Sequence, residues 1–69
     1  MDNILAHLLR EAVSRSGTFD PEECLFRIEE NLTGKQYELA EAFLTWCHTN
    51  GKTFGHNIQE VYAEFKSQG

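Results

Sequence analysis

The chain has 69 residues, 41% of them hydrophobic and 12% aromatic, with a single proline. That composition excludes a disordered chain, and the length places it where one core is barely sufficient without a disulfide, a metal or a partner subunit. Six Lys and Arg against eleven Asp and Glu leave a net charge of −5, which argues against the broad phosphate-neutralising surface of a non-specific nucleic-acid binder.

The first helix is expected from Asn3 to Ser16, where Ile4, Leu5, Leu8, Leu9, Ala12 and Val13 form one apolar stripe and Gly17 ends it. "TFDPEE" then announces a second helix. Asp20 caps, Pro21 fits the first helical position, and Glu22 and Glu23 suit the positive end of the helix dipole. This helix is expected to reach Leu32, with Leu25, Ile28 and Leu32 facing inward. Thr33 opens a third helix running from Gly34 to about Thr49. Its apolar arc is broad, centred on Tyr37, Ala40, Phe43, Leu44 and Cys47 and widened by Leu39 and Trp46, as in a central helix with two neighbours. A fourth helix, from Phe54 or Asn57 to Lys66, carries Phe54, Ile58, Val61, Tyr62 and Phe65 on one face, and Asn57 with Glu60 has capping-box spacing. No comparable stretch alternates with period two. The expected fold is all-α, a compact bundle of three to four short helices over residues 1–69, with a homodimer open as an alternative because the core is small.

"LTWCHTNGKTFGHN", residues 44–57, concentrates a tryptophan, a cysteine and two histidines. Zinc needs closely paired Cys and His ligands, whereas Cys47 and His48 are adjacent and project about 100° apart on a helix, and His56 lies beyond a turn. The stretch reads as a junction between two helices, with Gly51 as the left-handed stop. Cys24 and Cys47 both fall where the helical pattern wants an apolar residue, so two buried free thiols are expected instead of a disulfide or a nucleophile. No metal, no cofactor and no enzymatic activity are expected. No apolar run is long enough to span a bilayer, and Asp2 stands where a signal peptide would be basic, which points to a cytoplasmic protein.

Residues 32–51, "LTGKQYELAEAFLTWCHTNG", resemble the opening of the DNA-binding region in LexA-type repressors and related winged-helix proteins. The matching positions are Leu32, Thr33, Lys35, Gln36, Glu38, Leu39, Phe43 and Gly51. The resemblance implies a helix opening at Thr33, a Gly-containing turn after it, a further helix for the major groove and a β-wing. The helix that follows here sets Glu60 and Glu64 against Lys66, and DNA binding is not assigned from the resemblance.

The sharpest functional feature is Phe26. It points about 100° away from Leu25, off the inward face, and its neighbours three and four positions away are Glu22, Glu23, Glu29 and Glu30. One reading packs the ring beneath the first helix or a chain end, the more ordinary arrangement in a small helical domain. The other makes it an anchor for a protein partner with a basic surface, oriented by the four carboxylates, as in the acidic helical surfaces of immunity proteins and phage-encoded inhibitors, an analogy of function and not of family. The expected function is a small acidic adaptor, inhibitor or regulator of bacterial or phage type that binds another protein. The alternative is a dimeric DNA-binding regulator with a basic face from Arg10, Arg15, Lys35 or Lys52.

Overall fold

The computed structural model describes residues 1–68. Four α-helices follow one another: α1 (Asn3–Ser16), α2 (Pro21–Ile28), α3 (Gly34–Asn50) and α4 (Ile58–Gln68), with a short 3-10 turn at Glu29–Asn31. Among the described residues there is no strand, so the β-wing that the LexA-type resemblance implies is missing from residues 1–68. What the resembling residues do is start a helix. Thr33 accepts from the Gln36 backbone N–H at 3.2 Å while the Gln36 side chain accepts from the Thr33 N–H at 3.0 Å, a reciprocal capping box.

Local chemistry sets the other boundaries. Asp2 Oδ1 accepts from the Ile4 N–H at 2.8 Å to open α1, and Asp20 Oδ1 accepts from Glu22 and Glu23 to open α2 behind Pro21. Gly17 and Gly51, at φ 70° and 65°, supply the left-handed residues that end α1 and α3. After α3 the closure is double: Gly51 N–H reaches His48 O and Lys52 N–H reaches Cys47 O, the Schellman pattern.

Two sequence expectations are corrected. The α-helix of the second element stops at Ile28, and Leu32 has extended backbone, because the turn at Glu29–Asn31 tightens the chain ahead of the Thr33 cap. Asn57 does not complete a box with Glu60; its Oδ1 accepts from the Gly55 N–H at 3.0 Å, folding the approach to α4 back on itself.

One core takes side chains from all four helices: Leu5, Leu9 and Ala12; Cys24, Leu25 and Ile28; Ala40, Phe43, Leu44 and Cys47; Ile58 and Val61, with Phe54 added by the preceding loop. Phe43 is at its centre. Its ring lies 5.4 Å from Phe54, 5.4 Å from Phe65, 5.6 Å from Tyr62 and 6.5 Å from Trp46, distances at which aromatic pairs attract beyond simple area burial. The radius of gyration is 10.6 Å, close to the about 11 Å expected for a folded chain of this length. Among the described residues no helix is long and apolar enough to cross a membrane.

Candidate functional site

Helix α2 is short and carries its polar and apolar residues on sharply separated faces. Cys24, Leu25 and Ile28 are buried against α1 and α3, which turns Glu22, Glu23, Phe26 and Arg27 outward. Phe26 is 77% exposed, so the reading that packs it beneath the first helix or a chain end is overturned. Nothing in the fold requires a phenylalanine there. Its exposed ring leaves roughly 3 kcal/mol of burial free energy unrealised in the free protein.

At about 100° per residue, Glu22 and Glu23 lie on opposite sides of Phe26, and Glu29 and Glu30 follow it in the 3-10 turn that closes the helix. The tertiary structure makes these flanks unequal. On the first side a groove of about 720 Å³ opens between α2 and α3, lined by Glu22, Leu25, Phe26 and Glu29 from the α2 segment and by Tyr37 and Glu41 from α3. On the second, Phe26 borders a depression of about 350 Å³ shared with Arg15, Arg27, Glu29, Glu30 and Asn31. Glu23 lies with Asp20, Glu22 and Phe26 in a third hollow. The sequence-predicted residues therefore share one exposed surface, with Phe26 at the meeting point of three depressions.

Among the described residues, none of Glu22, Glu23, Glu29, Glu30 and Glu41 is in a salt bridge. The charges that are paired lie elsewhere: Glu11 between His7 at 3.9 Å and Arg15 at 3.7 Å, and Lys52 with Glu64 at 2.7 Å. Tyr37 and Glu41 escaped the sequence reading because they come from a helix remote in the chain. A signal was present, since Glu41 and Thr45 follow at four-residue spacing from Tyr37, which the sequence pattern assigns to the apolar arc of α3.

The residues of the Cys/His-rich stretch are dispersed. Cys47 is fully buried beside Phe43 and Leu44 in the core, His48 is exposed at the end of α3, and His56 crosses to α1, its Nδ1 accepting from Arg10 Nη2 at 3.1 Å. Arg10 can only donate, so the ring nitrogen is the acceptor in this contact. Among the described residues no three His, Cys, Asp or Glu side chains come together as metal ligands. Both cysteines are free and buried. Burial pushes the Cys47 thiol up to about 11, helped by the negative charge of Glu64 and opposed by Lys52. Burial also raises Cys24, against the hydrogen bond from Ser16. Neither thiol ionises near neutral pH, so neither is a poised nucleophile.

No family model, no curated protein and no solved structure matches the chain. The site is described by its own geometry.

Proposed function

We propose that the protein is a cytoplasmic adaptor, inhibitor or regulator that binds another protein through α2, with Phe26 as anchor and Glu22, Glu23, Glu29 and Glu30 as its electrostatic complement. The observation that carries this reading is the 77% exposure of Phe26 within a group of carboxylates that form no salt bridge among the described residues. An aromatic in water beside unpaired charge favours a partner that buries the ring and supplies cations. The carboxylates then accelerate encounter and reject acidic surfaces, and the affinity falls as salt is raised.

The test is capture of partners from a lysate of the source organism by tagged wild type, Phe26→Ala and the quadruple Glu→Gln variant at positions 22, 23, 29 and 30, each checked for helicity. A protein held stoichiometrically by the wild type and lost from both variants is the expected result. The same protein held equally by all three overturns the site. Nuclease-sensitive DNA in place of protein transfers the argument to the regulator alternative. Sedimentation of the captured complex counts the copies of this chain in it and so addresses the homodimer.

A further inference from the structure

We propose that the partner engages through a cationic amphipathic segment seated in the groove between α2 and α3, so that Glu41 and Tyr37 join the docking site. The groove carboxylates Glu22, Glu29 and Glu41 hold the segment more strongly than Glu23 and Glu30, which act on it from outside the groove. This rests on reading α2 as a docking face and adds to it a direction and an occupant. Three observations point the same way. Glu22, Glu29 and Glu41 line the groove, and no Lys, Arg or His does. None of the three carboxylates has a cation partner among the described residues. Leu25, Phe26, Tyr37 and Pro21 supply the apolar and aromatic part of the wall, and Asp20 and Thr45 complete it.

The opposite side of Phe26 has different chemistry. There Arg15 and Arg27 share the depression with Glu30 and with Glu29, which borders both sides, so cations of the chain already offset the carboxylates and a basic segment gains less. A ligand that complements the groove carries Lys or Arg to face both rims and apolar side chains between them, the pattern of a basic amphipathic helix. Nucleic acid has the wrong charge for these walls.

The experiment uses the full chain, isotope-labelled for amide NMR. The probe is a synthetic amphipathic helix with lysines on its polar face and leucine and tryptophan on its apolar face, alongside an otherwise identical peptide with glutamates for lysines. Two variants remove the same charge, Glu22→Gln/Glu41→Gln and Glu23→Gln/Glu30→Gln. The expected result is that the lysine peptide shifts Tyr37, Glu41 and Thr45 together with Phe26, and the glutamate peptide shifts none of them. The first variant should weaken binding roughly tenfold and the second by less than about threefold.

Equal weakening by both variants means recognition by net charge alone; it overturns the groove and leaves the acidic surface standing. Shifts confined to Arg15, Arg27 and Glu30 move the partner to the other side of Phe26, again sparing the α2 reading. Shifts only on α4, or no binding at about 1 mM peptide, overturn both. Dilution-dependent shifts at Phe26 and Tyr37 without peptide make a second copy the occupant and overturn the proposed one.

Discussion

Phe43 and Phe26 are the same side chain in opposite surroundings. Phe43 is fully buried among Trp46, Phe54, Tyr62 and Phe65, whereas Phe26 is 77% exposed among glutamates. The first contributes to folding and leaves nothing over for a partner. The second contributes almost nothing to folding, so its binding free energy remains available. In a chain this short, where every buried methylene counts toward a marginal balance, an aromatic withheld from the core is an informative residue. The comparison teaches that composition alone does not locate the core: two phenylalanines seventeen positions apart in one 69-residue chain have separate tasks.

The largest effect should come from Phe43→Ala. Removing a fully buried ring costs about 3–5 kcal/mol, comparable to the total stability of a domain this size, so the cooperative thermal transition should vanish from circular dichroism. A melting curve shifted by only a few degrees would break the comparison at its buried end. Cys47→Ser follows, at about 2 kcal/mol in urea unfolding, because a hydroxyl would enter an apolar pocket. Cys24→Ser should cost about half as much, roughly 1 kcal/mol, since the Cys24 thiol already donates to Thr18 O at 3.3 Å and lies 3.6 Å from Ser16 Oγ.

Cys47 also predicts a pH dependence. Its folded value of about 11 lies above the ordinary 9.0, so the unfolded thiol loses its proton first. The stabilisation is complete below pH 9.0 and is lost as pH rises through about 11. Urea midpoints taken from about pH 8 to about pH 10.5 should fall more steeply for the wild type than for Cys47→Ser; parallel slopes would refute the burial argument. Thr33→Ala removes one half of the capping box and should cost about 1 kcal/mol. The smallest effect should be that of Phe26→Ala on stability, within about 0.5 kcal/mol of wild type, while its partner affinity falls by about 2 kcal/mol or more. A destabilisation comparable to that of Phe43→Ala would erase the distinction between the two rings.

Helix positions were largely legible because the apolar stripes and caps act locally. Asp20 with Pro21, Thr33, Gly17 and Gly51 each mark a boundary through a bond made within a few residues. The misses have a common cause. Whether α2 continued past Ile28, and whether Asn57 bonded forward or backward, depended on competition between local hydrogen bonds of similar strength, which residue spacing does not rank. Phe26 and its glutamates were visible as a pattern, but exposure is a tertiary property. The packing of α2 on α1 and α3 decided it, and the same packing brought Tyr37 and Glu41 into the groove.

The lone tryptophan gives the protein an intrinsic optical division of labour. Trp46 is half-buried, 5.6 Å from Phe65 and 6.5 Å from Phe43, with Lys52 Nζ 6.0 Å from its ring centroid, and it lines none of the depressions that meet at Phe26. Its fluorescence therefore reports the state of the aromatic core. Emission moves to longer wavelength when the ring enters water on unfolding, and stays in place when a tryptophan-free ligand covers α2. A spectrometer can thus follow the integrity of the scaffold throughout a binding titration, without a label and without disturbing the surface being titrated.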